Sequence, residues 1–89
     1  MMARILASIK LYPEDIITKK DEMKEAIWKA LPKSSSIHRI DEEPIAFGLV
    51  ALIAHVIMPE ANGEIERVEE ALRKVKGISE VETLLVRRI

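Results

Sequence analysis

The sequence predicts one α+β domain with the element order βαββαβ, in which a four-stranded antiparallel sheet carries two helices on one face. Three observations predict this architecture. The 89 residues allow a single core, and they are 48% hydrophobic but only 3% aromatic, so the core is built mostly from aliphatic side chains. Two segments have apolar residues at helical spacing, one segment alternates and one is almost continuously apolar as strands are, and residues 37–40 and 78–89 are interpreted as two further strands. The first five segments each end at a proline, a glycine or a charged turn, so we treat residues 1–89 as one domain.

The first two segments predict a strand and a helix. Apolar and polar residues alternate from Ala3 to Leu11, which indicates a strand with one buried face, and Pro13 ends it. The helix is predicted from Thr18 to Leu31, because its apolar residues lie three and four apart. Thr18 and Asp21 form a capping pair at its start, and Pro32 stops it.

The middle of the chain predicts an edge strand and a central strand. The edge strand covers residues 37–40 and ends in an acidic loop, residues 41–43, where charge also discourages aggregation between sheets. The central strand covers Ala46 to Met58, which is almost continuously apolar and rich in β-branched residues. Gly48 indicates a bulge or a close approach within it.

The last third predicts the second helix and the final strand. The helix follows Asn62 and Gly63, has acidic residues at its start and basic ones at its end, and is capped by Gly77. The strand spans Ile78 to Ile89. With right-handed crossovers in both halves, the helices cover one sheet face, which is the ferredoxin-like sandwich. The other face is left open, and Leu6, Ile53 and His55 are expected on it.

Composition and spacing argue against most site chemistry. The net charge of −1 gives no overall basic excess for a phosphate backbone, and the chain has no cysteine for disulfides, thiolate metal ligands or nucleophiles. His38 and His55 fall on separate strands without metal-ligand spacing, so we expect no metal and no cofactor. The serines at 34–36 lack a nucleophile elbow, and the adjacent carboxylates Glu42 and Glu43 would point to opposite faces of a strand. No apolar run has the length of a membrane span and no signal-peptide layout is present, so we expect a cytoplasmic protein.

Two segments are not explained by folding alone. In residues 42–49 a lone aromatic, Phe47, stands between the rigid Pro44 and Gly48. Residues 86–89 place Arg87 and Arg88 at the end of the final strand. The residues themselves allow two interpretations of each segment. Phe47 either plugs one end of the core or contacts a partner, and the arginines are either solvated or used in binding.

These segments resemble the archaeal elongation factor 1-beta family. The resemblance is carried by Glu-Glu-Pro-Ile-Ala-Phe-Gly-Leu at 42–49, by Val-Arg-Arg-Ile at 86–89, and by matches along the rest of the chain such as Ala-Leu-Pro at 30–32 and Glu-Glu-Ala-Leu at 69–72. The resemblance implies a guanine-nucleotide exchange factor for elongation factor 1-alpha, which releases GDP so that GTP can rebind. Such a protein breaks no bond, so no catalytic residue is expected.

The resemblance also implies roles for particular residues. In this family an aromatic of the Phe-Gly loop inserts into the GTPase and a basic side chain next to the C-terminus approaches the magnesium site, which points to Phe47 and Arg88. Eukaryotic members have lysine where Arg88 stands, so the arginine either enters the metal site or pairs with a carboxylate near it. The expected partner is elongation factor 1-alpha in its GDP-bound and nucleotide-free forms, without direct contact to nucleic acid or membrane. Further partner-binding residues are expected beside these two: Pro44, Ile45, Ala46, Gly48, Arg87 and Ile89.

Two other function classes are compatible with the fold. A regulatory ferredoxin-like module would bind a small ligand or dimerise through the open sheet face. An RNA-binding module would stack bases on strand aromatics, but Phe47 is the only aromatic in the predicted central strand.

Overall fold

A computed structural model describes residues 3–17 and 19–89 and confirms the predicted element order. The elements are β1 (Arg4–Pro13), α1 (Lys20–Ala30), β2 (Ser36–Pro44), β3 (Val50–Pro59), α2 (Glu64–Arg73) and β4 (Ile78–Arg88). The predicted capping pair of α1 involves Thr18, which lies outside the described residues. Helix α1 begins at Lys20.

The four strands form one antiparallel sheet with the order β2-β3-β1-β4, which confirms the predicted α+β ferredoxin-like architecture. Strand β1 lies in the middle and pairs with β3 on one side and β4 on the other. Strands β2 and β4 therefore form the two edges. Because β1 runs antiparallel to both neighbours, the start of β3 and the end of β4 lie at opposite ends of the sheet.

The core lies between the helices and one face of the sheet. Alternate residues of β1 and β3 on this face are buried, and the helices add Ile27, Val68 and Leu72, which are fully inaccessible to solvent. Truncating such a Leu or Ile to alanine costs roughly 2–5 kcal/mol. That is a large share of the roughly 5–15 kcal/mol that stabilises a typical domain. The residues of β1, β3 and β4 that build this face are Ile5, Ala7, Ile9, Leu11, Leu52, Ala54, Val56, Met58, Ile78 and Val81.

The edge strand β2 is longer than predicted, because its acidic residues have partners on both faces of the sheet. On the helix side Glu42 accepts hydrogen bonds from Lys20 at 2.9 Å and Lys24 at 3.1 Å. On the opposite side Glu43 lies 3.0 Å from Lys10. The expectation that Glu42 and Glu43 point to opposite faces is confirmed. The expectation that the acidic run forms a loop is wrong, because cations distant in sequence compensate its charge.

The open face carries a hydrogen-bonded row across three strands. Ser8, in β1, lies 2.8 Å from Nδ1 of His55 in β3, and Nε2 of His55 lies 2.8 Å from Asp41 in β2. A carboxylate only accepts, so Nε2–H of His55 donates to Asp41, and in the neutral ring Nδ1 accepts from the Ser8 hydroxyl. This bond from His55, together with the charge of Arg39, holds the pKa of Asp41 below its usual value. Leu6, Ile53 and His55 alternate with core residues, which places them on the open face as expected.

Candidate functional site

The connection between β2 and β3 is a tight hairpin rather than the start of a strand. The backbone N–H of Leu49 donates to the carbonyl of Ala46 at 3.0 Å, and the N–H of Ile45 donates to the carbonyl of Leu49 at 2.9 Å. Between them Phe47 has a φ of 58° and Gly48 a φ of 77°. Two successive positive φ values are typical of a type I′ turn, whose twist matches that of the flanking strands. Strand β3 therefore begins at Val50, four residues later than the sequence predicts.

Phe47 is displayed to solvent by this turn. Its side chain is 95% exposed, the highest value among the exposed large apolar residues. The interpretation that Phe47 plugs one end of the core is therefore wrong. Phe47 is also the only non-glycine residue with positive φ among the described residues, and this conformation costs an L-residue roughly 1–2 kcal/mol. An aromatic side chain that is exposed and held in a strained backbone position does not stabilise the fold.

The residues beside Phe47 form a small apolar surface. Ile45 is 39% exposed, and Ala46 and Pro44 are also exposed. Ile16, in the loop after β1, is exposed and packs toward the hairpin, with its Cδ1 3.8 Å from where a Cβ on Gly48 would stand. The sequence alone does not identify Ile16, because only the antiparallel pairing brings the end of β1 beside the hairpin.

The two arginines near the C-terminus point to opposite faces of the sheet. Arg88 pairs with Ile5, whose side chain belongs to the core face, whereas Arg87 pairs with Leu6 of the open face. Both arginines are exposed. The backbone N–H of Ile89 donates to the carbonyl of Arg4 at 3.1 Å and extends the pairing to the last residue. The side chains of Arg87 and Arg88 therefore lie on different surfaces of the protein, and the two guanidinium groups cannot approach a partner atom from the same side.

Arg88 has a single carboxylate partner among residues 3–17 and 19–89. Its Nε donates to Oε2 of Glu60 at 2.6 Å, while the Arg88 side chain stays 77% exposed. The Arg88 guanidinium lowers the pKa of Glu60, and the Glu60 carboxylate raises the pKa of Arg88. Arg88 thus carries its positive charge at any physiological pH and presents it at the edge of the domain.

Phe47 and Arg88 lie at opposite ends of the molecule. Arg88 pairs with Ile5 near the start of β1, whereas the hairpin that carries Phe47 lies beyond the Leu11–Leu52 pair. Eight residue steps along β3 separate Met58, which pairs with Ile5 at the level of Arg88, from Val50 beside the hairpin, and this corresponds to roughly 26 Å at about 3.3 Å per residue. The domain itself measures 44 × 20 × 18 Å. One small pocket cannot receive both side chains.

Neither a metal cluster nor a membrane helix is seen in the described part of the chain. Within residues 3–17 and 19–89, no three His, Asp or Glu side chains are grouped so as to hold a metal ion. Over the same residues, neither helix has the length and apolar character needed to span a membrane.

Solved structures of other proteins share this fold. The ACT domain of GTP pyrophosphokinase from Chlorobium tepidum has a TM-score of 0.60 at 21% identity and covers 91% of this chain and 99% of its own. The C-terminal domain of the MgtC protein from Mycobacterium tuberculosis has a TM-score of 0.59 at 15% identity, covering 98% of this chain and 87% of its own. At these identities the likeness shows the fold alone.

Sequence comparison identifies the family. The chain is 46% identical over 89 residues to elongation factor 1-beta of Staphylothermus marinus, covering 99% of each chain. It is 41% identical over 88 residues to elongation factor 1-beta of Methanothermobacter thermautotrophicus, again covering 99% of each. The family model described as "EF-1 guanine nucleotide exchange domain" matches residues 6–89, which include both the hairpin and the arginines. The resemblance seen in the sequence is thus confirmed, and the chain belongs to the EF-1 guanine nucleotide exchange domain family.

Proposed function

We propose that this protein is a guanine-nucleotide exchange factor that promotes GDP release and GTP rebinding on elongation factor 1-alpha during translation elongation. The family match over residues 6–89 carries this proposal. The geometry supports it, because the two features that folding does not explain are an exposed aromatic and an exposed arginine. Both are groups that contribute strongly to protein interfaces.

An exchange factor acts through linkage rather than bond chemistry. If it binds the nucleotide-free GTPase more tightly than the loaded one, nucleotide affinity falls by the same factor. The required side chains are therefore those that make contacts in one state of the GTPase and not in the other. We infer that this protein forms no covalent intermediate and has no catalytic residue.

Phe47 supplies the apolar contact. The turn fixes the backbone of Phe47 and the direction of its Cα–Cβ bond, so that only the two side-chain torsions have to be ordered on binding. Inserting it into a pocket of the GTPase removes the exposed ring from water. Pro44, Ile45, Ala46 and Gly48 hold the turn and border the ring, so they form the rim of this contact.

Arg88 supplies the ionic contact. Its charge either approaches the magnesium site of the GTPase or pairs with a carboxylate near it, and either event weakens the interactions that hold the ion and the nucleotide phosphates. A planar guanidinium suits the carboxylate better than a lysine ammonium does, because it binds two oxygens at once. Arg87 and Ile89 extend the contact, Arg87 from the open face and Ile89 from the last residue.

The separation of Phe47 and Arg88 implies that the exchange factor contacts two distinct surfaces of its partner. An apolar pocket receives the hairpin, and an anionic or metal-binding surface roughly 26 Å away receives the arginine, as the strand spacing requires. A rigid domain that binds both surfaces at once favours the one conformation of the GTPase in which the two surfaces have the matching separation. This selection is a physical route by which binding energy weakens nucleotide affinity.

The test measures release of a fluorescent GDP analogue from the cognate elongation factor 1-alpha with excess unlabelled nucleotide. Catalytic amounts of this protein are expected to accelerate release strongly, and circular dichroism confirms that the protein is folded. Release at the unassisted rate would refute the proposal. We further infer a cytoplasmic protein that binds neither nucleic acid nor membrane, so a salt-dependent affinity for single-stranded RNA would contradict this part.

A further inference from the structure

Arg88 is held by one edge of its guanidinium group. The contact with Glu60 uses Nε at 2.6 Å, yet the side chain is 77% exposed. A guanidinium presents its N–H donors in a fixed planar fork. A carboxylate on Nε therefore leaves the outer edge, formed by Nη1 and Nη2, directed to solvent. That edge can still bind two oxygens of a carboxylate or phosphate.

The backbones of both partners are fixed by the sheet. The N–H of Glu60 donates to the carbonyl of Ala3 at 2.8 Å, directly after β3 ends. The N–H of Ile89, the residue after Arg88, donates to the carbonyl of Arg4 at 3.1 Å. Strand β1 thus lies between the two partners and sets their separation. The contact does not depend on the chance position of a loose loop.

Stability does not account for this ion pair. Exposed pairs contribute little to the folded state, because water and salt screen them and two long side chains lose freedom. Glu60 is 35% exposed in its side chain and lies at the rim of a shallow depression, beside Ile5, Ile65 and Val86. A carboxylate next to a functional cation also lowers the local positive charge. Its presence is therefore best explained by control of direction rather than by attraction of the partner.

We propose that Glu60 is a positioning residue for nucleotide exchange, which holds Arg88 by Nε so that its outer edge meets a carboxylate or phosphate oxygen of the GTPase. This inference rests on the proposed function, since it takes Arg88 to contact elongation factor 1-alpha. Glu60 itself contacts neither nucleotide nor magnesium. Its effect passes entirely through Arg88.

The first experiment compares stimulated GDP release for Glu60→Ala, Glu60→Gln and the wild type over a range of exchange-factor concentrations. Glu60→Ala is expected to lower the maximal rate by roughly three- to tenfold, well below the ~100-fold that misplacing a reacting group by 1 Å can cause. The half-saturating concentration should change little, because the Phe47 contact is intact. Glu60→Gln keeps an oxygen that accepts from Nε, so its maximal rate should lie close to that of the wild type.

Two further variants separate positioning from other effects. Glu70→Ala is the matched control, because it removes an exposed carboxylate on α2 that pairs with Arg73 rather than with Arg88, and it should leave exchange unchanged. In an Arg88→Ala background, Glu60→Ala should cause no additional loss if the two residues act as a unit. A Glu60→Ala protein as fast as the wild type, or faster, would overturn the inference while leaving the exchange function in place. A wild-type protein that fails to accelerate release would overturn both.

Nuclear magnetic resonance tests the contact without the GTPase. The Nε–H resonance of Arg88, assigned by its disappearance in Arg88→Lys, should be visible and slow to exchange with solvent in the wild type. Glu60→Ala should shift it and speed its exchange, whereas Glu70→Ala should not. If Glu60→Ala leaves the resonance unchanged, Glu60 does not hold Arg88 in solution and the inference is wrong.

Discussion

The two ends of the sheet present a functional side chain by different physical means. At the hairpin end, backbone conformation alone directs Phe47 outward, and the residues responsible are its immediate neighbours in sequence. At the other end, a side-chain ion pair with Glu60, 28 positions away in the chain, directs Arg88. The direction of Phe47 is therefore set by local sequence, whereas the direction of Arg88 is set by a tertiary contact.

This difference determines how each end should respond to perturbation. A turn held by positive φ angles is insensitive to salt and pH but sensitive to the loss of glycine. An exposed ion pair is insensitive to backbone strain but is weakened by salt. The following experiments use these opposite sensitivities, in order of decreasing expected effect.

Phe47→Ala should cause the largest loss of exchange. Removing an aromatic anchor from an interface typically costs 2 kcal/mol or more, which corresponds to about thirtyfold slower stimulated release at sub-saturating concentration. Thermal unfolding should show no loss of stability, because the ring is 95% exposed. Trp28→Ala is the control, since Trp28 is the other large exposed aromatic, at 62%, and lies on α1. If Phe47→Ala and Trp28→Ala stimulated GDP release at equal rates, the proposal that Phe47 contacts the GTPase would be wrong.

Arg88→Ala should slow stimulated release by about tenfold, which corresponds to about 1.4 kcal/mol and is less than an interface hot spot contributes. Arg87→Ala should have a smaller effect, because Arg87 points to the open face. Raising the salt concentration should reduce the difference in stimulated release rate between Arg88→Ala and the wild type, because salt screens the ionic contact. The difference in release rate between Phe47→Ala and the wild type should stay the same. A larger effect of Arg87→Ala would show that the open face, rather than the core-side edge, meets the GTPase.

Gly48→Ala should slow exchange by a few fold and lower the free energy of unfolding by about 1 kcal/mol, because alanine disfavours the φ of 77°. A Cβ at this position has room, since its nearest neighbour outside the turn is 3.8 Å away, so strain rather than a clash is tested. Gly63→Ala is the matched control, with a φ of 79° and open space around it. Gly63→Ala should lower the free energy of unfolding by a similar amount without affecting the hairpin. If Gly63→Ala and Gly48→Ala slowed exchange equally, the turn would have no special role.

The smallest effect concerns the pH dependence of stability near the hairpin. Hydrogen bonds from Lys20 and then Lys24 hold the pKa of Glu42 below its ordinary value of 4.5. A lowered folded pKa contributes stability that is present above the unfolded pKa and is lost as pH falls through the folded pKa. Urea denaturation between pH 7 and pH 3 should therefore show a smaller acid-induced loss for Glu42→Gln than for the wild type. Glu25→Gln, which alters an exposed carboxylate within α1, should follow the wild type.

The sequence by itself determined the order of the elements and the type of each. Alternation in β1, helical spacing in α1 and α2, and the stops at Pro13 and Pro32 are all local signals, and local signals are sufficient where propensity and pattern agree. The expectation that Gly77 caps α2 is wrong, because the helix ends at Arg73 with Lys74 as its C-cap, and Gly77 lies in the turn before β4. It also singled out Phe47 and Arg88, because an isolated aromatic between proline and glycine and a terminal pair of arginines have no evident use in a core. Their roles were implied by the family resemblance, not by the pattern.

Only the tertiary structure decided where these residues lie and what holds them. The acidic end of β2 is a strand because Lys10, Lys20 and Lys24 neutralise it from two faces, and no local pattern contains those partners. Arg87 and Arg88 are adjacent in sequence, but their side chains lie on opposite faces of the sheet. The strand register decides this, because Arg87 pairs with Leu6 of the open face and Arg88 with Ile5 of the core face. Antiparallel pairing through β1 likewise places the hairpin and the last strand residues at opposite ends. Strand register is a cooperative property of the whole sheet, so contacts that depend on it, such as the one between Glu60 and Arg88, cannot be derived from the sequence of either strand.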